Sequence, residues 1–301
     1  MKEKENFIIV DANSFVHSTF HGYSPCLDCK GVDQKVLQGL MNALVDLSYN
    51  LPKIDYLFLV FDPFDGSLYR KSVFPAYKAN RPPSDPELVR QKEIAIKILS
   101  EHIGIPMISH AGYEADDTIG SMAYMLKDNF NVTIVSPDKD LAQLVAPNVR
   151  LMRKYKTKEA RGYKFLDEEA VYQSFGVYPK QIPDWLSLMG DVADNLPGLY
   201  KVGEKTASNL LKKYVSLEHL MAFHHEMEDE KLRDKIKEAL DTLPLIKHLA
   251  TIKCDLPVED KMEEAFAKAE SIRTHQEYSN NFNKIRKYFN WPDHYSQMFT
   301  N

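Results

Sequence analysis

Three apolar runs of strand length in this chain each lead to an aspartate. Phe7-Ile8-Ile9-Val10 ends at Asp11, Tyr56-Leu57-Phe58-Leu59-Val60-Phe61 ends at Asp62, and Asn131-Val132-Thr133-Ile134-Val135 is followed closely by Asp138. An uninterrupted apolar run has no polar face, so each strand is expected to be buried on both sides, as in a parallel sheet covered by helices. Helical patterns fill the intervals at 34–50, 86–103 and 115–128, the last with Ile119, Met122, Ala123 and Leu126 at helical spacing. Strand alternating with helix predicts a doubly wound, mainly parallel α/β fold. From about 167 the β-branched clusters stop, and 167–175, 183–190, 204–214 and 217–227 read as short helices, followed by a charged helical stretch over 228–250. The expected boundary falls within 166–180. It separates an α/β domain over 1–170 from a helical region over 171–260, with a tail over 261–301 packing back on the body.

Ligands of open α/β sheets collect beyond the carboxyl ends of the strands. Asp11, Asp62 and Asp138 occupy such ends, with Asp140 two residues on. Glu114, Asp116 and Asp117 stand at a predicted helix start, and Asp191 and Asp194 are spaced to share a helical face. A lone aspartate after a strand is usually a turn former or helix cap; the combination is what points to chemistry. Nine carboxylates in one cleft would repel each other, and several would stay protonated without cations. Oxygen ligands with no His or Cys among them suit Mg²⁺ or Mn²⁺ rather than zinc. Two such ions would suit attack of water on a phosphodiester.

The formal charge of −5, from 38 basic and 43 acidic residues, argues at first against nucleic acid. Without the nine acids the balance is 38 basic against 34 acidic residues, so the average conceals an acidic cleft within a basic surface. No run approaches the ~18 apolar residues of a membrane helix. The charged start Met1–Glu5 is no secretory signal, and three cysteines fit a reducing cytoplasm.

The residues resemble the 5′-nuclease family: the 5′→3′ exonuclease domain of bacterial DNA polymerase I, its stand-alone and phage relatives and, more distantly, flap endonucleases. The resemblance runs from Ile8 to Glu259. It is carried by Val10-Asp11, Phe61-Asp62 with Gly66, Tyr69-Arg70, Tyr77-Lys78-Ala79-Asn80-Arg81-Pro82-Pro83, Tyr113-Glu114-Ala115-Asp116-Asp117, Asp138-Lys139-Asp140 through Val145, Gly190-Asp191 through Gly198, and Gly203-Glu204-Lys205-Thr206-Ala207, in family order.

The resemblance implies a PIN-like domain with a helical arch around 67–103, followed by a helix–three-turn–helix module. It implies a structure-specific 5′→3′ exonuclease or flap endonuclease that hydrolyses DNA near 5′ ends or flap junctions, in replication or repair. Asp11, Asp62, Glu114, Asp116, Asp117, Asp138, Asp140, Asp191 and Asp194 match the metal-site acids. Lys78 and Arg81 match the catalytic arch motif, and a helix would put them on one face. Arg70 is expected to grip phosphate and Tyr77 to stack on a base or pack. Lys201, Gly203 and Lys205 match the duplex-binding hairpin, where many relatives hold a monovalent cation such as K⁺. A monomer is expected, with polymerase and ligase as functional neighbours. The chain ends without a polymerase region, so a polymerase is expected to be separate. The alternatives are a non-catalytic DNA junction-binding protein and a PIN-type ribonuclease.

Three positions depart from the family. Ser18 replaces an arginine seven residues after Asp11, Lys201 replaces a hairpin glycine, and Pro137 precedes Asp138 where glycine is usual, restricting Ser136 to extended backbone. The basic run Arg150, Arg153, Lys154, Lys156, Lys158, Arg161 and Lys164, against Glu159 alone, reads either as a DNA path or as a solvated loop. His17, His21, Cys26 and Cys29 have a spacing that zinc accepts, with unpaired loop thiols as the alternative.

Overall fold

The computed structural model describes residues 4–51, 53–64, 68–156 and 161–273. Gly66, Lys158, Glu159 and the expected tail beyond 273 lie outside the described residues.

Six strands form one sheet: β1 (Asn6–Asp11), β2 (Tyr56–Val60), β3 (Met107–Ile108), β4 (Asn131–Val135), β5 (Val149–Lys156) and β6 (Arg161–Leu166). Their order is β3-β2-β1-β4-β5-β6, parallel throughout except for the antiparallel β5–β6 pair. The three strands with continuous apolar runs are adjacent at the centre, with Val10 paired to Leu59 on one side and Val135 on the other. Phe7 and Ile9 enter the core on one face of the sheet, and Ile8 and Val10 the core on the other. That two-sided burial, worth roughly 1.5–3 kcal/mol per large side chain, is why the runs lack a polar alternation.

Among the described residues there are twelve α-helices: α1 (Ala12–Gly22), α2 (Lys35–Asn50), α3 (Tyr69–Val73), α4 (Pro86–Lys97), α5 (Ala115–Leu126), α6 (Glu168–Phe175), α7 (Ile182–Met189), α8 (Glu204–Tyr214), α9 (Leu217–Phe223), α10 (Glu230–Glu238), α11 (Leu243–Ala250) and α12 (Glu259–Arg273). Local chemistry sets their ends. Asp85 caps α4, its carboxylate accepting from Glu87 N at 2.8 Å, and Pro86 occupies the first turn. Asp167 caps α6, which stops at Gly176 in the left-handed region, φ +73°. Helices α1, α2 and α4 cover one face of the sheet. Helix α5 and helices of the C-terminal half cover the other, in one continuous apolar core from Phe7 to Met262.

Two features depart from the sequence reading. The described parts of the basic run, 150–156 and 161–164, lie in the antiparallel strands β5 and β6, pairing Arg153 with Lys164. Between α3 and α4 the expected arch carries turns at 75–80 and extended chain at 82–85. Among the described residues no helix is long and apolar enough to cross a membrane.

Candidate metal centre and nucleic-acid interface

From β1 the chain proceeds to β2 on one side, whereas β4 pairs with β1 on the other. This reversal opens a crevice beyond the carboxyl ends of β1 and β4, the usual ligand position in such sheets. Asp11 stands at its edge and is buried. Its carboxylate accepts from Ser14 N at 3.2 Å, capping α1, and from the hydroxyls of Ser14 and Ser136, the latter at 2.6 Å. Asp62, after β2, accepts from Ala115 N at 2.8 Å, joining the second strand end to the start of α5. Across the crevice Asp138 accepts from Asp140 N at 2.9 Å.

Glu114 is the N-cap of α5, in a capping box with Asp117. One Glu114 oxygen pairs with Lys78; the other accepts from Tyr77 Oη at 2.8 Å and Arg70 Nη1 at 3.0 Å. The segment after α3 is zipped onto the 191–195 loop. Lys78 N donates to Asp194 O at 3.0 Å, Asn80 Nδ2 to Val192 O at 2.7 Å, Arg81 Nε to Ala193 O at 3.1 Å, and Asn195 Nδ2 to Ala76 O at 2.7 Å. Lys78 and Arg81 therefore reach the acids from a run of turns, not from one helix face, and Lys78 takes a positive φ of 54°. Arg81 is half exposed and its guanidinium lies 2.7 Å from Asp194.

Three of the expected site residues are turned inward. Arg70 is 2% exposed and spends all its donors inside the protein. It forks onto Asp117 at 2.6 and 2.7 Å, reaches Glu114, and donates to the carbonyls of Leu249 and Thr251 at 2.8 and 3.0 Å. No donor remains for a phosphate. Asp117 is fully buried and also accepts from Lys253 N at 2.9 Å, so it serves Arg70 and the chain at 249–253 rather than the crevice. Tyr77 is buried, with its hydroxyl shared between Glu114 and Asp194, so it packs and offers no face for a base.

Burial and neighbouring carboxylates act together on three of the remaining acids. Burial pushes Asp116 well above the ordinary carboxylate range, and Asp138, Asp11 and Glu114 push it further. Asp140 is raised by burial and by Asp138, Asp191 and Asp194, against the pull of Lys139. Asp11 is raised by burial, against its serine hydrogen bonds. Burial alone would raise Glu114 too, but Lys78 and Arg70 outweigh it and hold it below its ordinary value.

No three His, Cys, Asp or Glu side chains among the described residues converge closely enough to grip an ion. That statement covers His17, His21, Cys26 and Cys29, whose spacing had suggested zinc; Cys29 is exposed. It covers the acids too, several of whose oxygens are held by Lys78, Arg81 and Lys139. The donor set nevertheless fits hard divalent ions. It is all oxygen, burial and neighbouring carboxylates raise Asp116 and Asp140, and Asp140 Oδ1 is buried with no partner.

The loop after α7 depends on two glycines that cross. A Cβ on Gly198 would lie 2.2 Å from Gly190 N, and Gly190 itself has φ +78°. The approach returns Asp191 to the crevice, where it accepts from Ala193 N at 2.7 Å and meets Lys139 at 3.4 Å. Farther along, Lys201 takes φ +60°, the left-handed conformation that suits the family's glycine. Gly203 precedes α8, whose first turn has no side-chain cap. A Cβ there would meet nothing within 4 Å. Neither packing nor backbone conformation (φ −105°) calls for glycine at 203.

Several residues at the site were not singled out from sequence. Ser14 and Ser136 hold Asp11, and Lys139, inside a quoted motif, pairs with Asp191. Lys92 of α4 donates to Asp62 O at 3.2 Å and lies over the Phe64 ring. Its place at helical spacing between Leu88 and Ala95, both buried, is a usable signal. Ser18 is exposed and donates to Phe15 O. Arg153 donates twice to Pro137 O, at 3.1 and 2.6 Å, beside Asp138.

Comparison with known proteins matches residues 6–176 to the N-terminal resolvase-like domain of 5′-3′ exonucleases and 177–274 to their C-terminal SAM fold. A 5′-3′ exonuclease of Aquifex aeolicus is 34% identical over 84% of both chains. DNA polymerase I of Bacillus subtilis is 35% identical over 86% of this chain, which spans 29% of that protein's length. Among solved structures, a zinc-bound T5 5′-exonuclease superposes with a TM-score of 0.67 at 16% identity, covering 89% of this chain and 99% of the other. The catalytic core of Rad2 in complex with DNA substrate gives 0.55 at 16%, covering 94% and 92%. At such identity the structures establish the shared fold.

Proposed function

Because this chain belongs to the 5′-3′ exonuclease family, we propose that it is a structure-specific 5′-nuclease that hydrolyses DNA phosphodiester bonds near 5′ ends and flap junctions, in replication or repair. The observation that carries the reading is the cluster of mutually repelling carboxylates at the sheet's reversal point, faced by Lys78 and Arg81.

Asp11, Asp62, Glu114, Asp116, Asp138, Asp140, Asp191 and Asp194 would hold divalent ions, Mg²⁺ or Mn²⁺ and two in number; Asp117 is left to Arg70. Such ions, when bound, supply positive charge to the reacting phosphate and acidify the attacking water. The chain's own part is positional. Ser14 and Ser136 fix the Asp11 carboxylate, and the Ala115 amide fixes Asp62. Lys78 and Arg81 are the catalytic cations, placed where charge develops on the phosphate. Here they neutralise Glu114 and Asp194, the charge that divalent ions would otherwise balance.

Lys201, Gly203 and Lys205 bind the duplex backbone. The uncapped amides of α8 and the open space at Gly203 support close approach of a phosphate. Backbone carbonyls of this hairpin would hold K⁺. The protein acts as a cytoplasmic monomer on DNA handed between polymerase and ligase.

Cleavage mapping on end-labelled 5′-flap, nicked and single-stranded DNA with Mg²⁺ tests this reading. Cutting near the junction is expected, and its loss in Asp116→Ala. Tight flap binding without cleavage in Mg²⁺ or Mn²⁺ would make the protein a junction binder. Preference for an RNA flap would make it a ribonuclease.

A further inference from the structure

The turn between the 190–198 loop and α8 carries an arrangement that reaches beyond the hairpin, to α10. Leu199 and Val202 are buried, and Val202 N donates to Leu199 O at 2.9 Å, so the turn is anchored at both ends. Its two middle residues project outward, and Tyr200 is 71% exposed. Two ammonium groups gather on that ring. Lys201 Nζ lies 5.1 Å from its centroid and Lys235 Nζ, from α10, lies 5.7 Å. Lys235 also donates to Tyr200 O at 2.7 Å. One of its three donors is thereby used and two remain.

Two costs need an explanation. Lysine at φ +60° is strained relative to the right-handed conformation. Gathering like charges on one side chain is also unfavourable. Among the described residues, Lys201, Lys205 and Lys235 pair with no carboxylate, whereas Lys78, Lys139 and Lys247 each do. A local rule broken without internal compensation marks a place for an external partner, here an anion.

We infer that Lys201 and Lys235, bracketing Tyr200, form a phosphate site for the backbone of double-stranded DNA, extending the hairpin contact onto α10. The inference rests on the nuclease reading and adds a second element to its duplex grip. Both ammonium groups lie over the Tyr200 ring, which serves as their platform, and both can face a phosphate. The site therefore reads charge and not sequence. Four residues after Lys201 the chain offers Lys205, in the first turn of α8, whose amides no side chain caps.

The test is fluorescence anisotropy of a blunt-ended duplex, without a flap and in EDTA, over a series of KCl concentrations. Lys201→Ala and Lys235→Ala are each expected to weaken binding several-fold, and each to lower the slope of log K against log salt by about 1. Lys231→Ala, on the same helix, is expected to match wild type. Lys201→Gly separates contact from fold: melting temperature should rise as the strain is relieved, while duplex affinity falls. Wild-type affinity and salt slope in both alanine variants, with flap cutting intact, would overturn this inference alone. A wild-type protein that neither holds duplex nor cuts a flap would overturn the nuclease reading with it.

Discussion

Arg70 and Asp117 form a two-pronged ion pair, at 2.6 and 2.7 Å, with both side chains out of contact with solvent. The pair ties α3 to α5, and through the carbonyls of Leu249 and Thr251 ties both to the chain leaving α11. Removing one partner strands a buried charge. Arg70→Ala is expected to cost about 3–5 kcal/mol in urea denaturation. Arg70→Lys should recover only part, since an ammonium cannot fork onto a carboxylate. Unchanged stability with weakened DNA binding would return Arg70 to the phosphate-gripping role that sequence suggested.

Lys78 makes the opposite prediction. It touches two candidate metal acids and sits at the crevice rather than in the core. Lys78→Ala should lower the single-turnover cleavage rate by roughly 10²–10³ while flap affinity changes little. A variant that loses affinity and keeps its rate would make Lys78 a binding contact only.

The acid cluster should be visible in the stability of metal-free protein. Asp116 and Asp140 keep their protons to higher pH when folded than when unfolded. Across that window the folded state binds more protons, so their contribution makes stability fall as pH rises from the ordinary carboxylate range toward the raised values. Asp140→Asn removes one such group. It should raise the melting temperature in EDTA at neutral pH and above, with little effect in acid. Added Mg²⁺ should shrink the gain, because the cation relieves the same repulsion in the wild type. A variant no more stable than wild type in EDTA at neutral pH would refute this account of Asp140.

Two glycines should separate fold from function. Gly198→Ala puts a Cβ against backbone at 2.2 Å and should disrupt the 190–198 loop, with loss of both stability and metal-dependent activity. Gly203→Ala meets open space, so its melting temperature should match wild type while duplex affinity falls. Equal affinity in Gly203→Ala would remove the argument for close phosphate approach there.

The central sheet was legible because burial on both faces leaves a signature in the chain: the runs ending at Asp11, Asp62 and before Asp138 became the three adjacent middle strands. The edges were not legible. β3 is two residues long, and β5–β6 hides behind Arg150, Arg153, Lys154 and Lys164, whose charges mask a strand alternation. Motif order drew attention to Arg70, Tyr77 and Asp117 but could not say which way they face. For Arg70 and Asp117 that depends on the chain at 249–253, more than a hundred residues away, supplying carbonyls to Arg70 and an amide to Asp117, and for Tyr77 on Glu114 and Asp194. The Lys78–Arg81 spacing suggested a helix because spacing alone cannot reveal that the segment is pinned to Val192, Ala193 and Asp194.

The apolar core that begins at Phe7 in the first strand continues without interruption to Met262 in the last described helix. The point at 176–177 where the two family models meet therefore falls within one continuous apolar core. Either piece expressed alone would present to water the surface its other half normally covers. Chaperones would see that surface as sticky, and a protease would find no natural seam. Exchanging the C-terminal half for another would therefore mean rebuilding the core that both halves share.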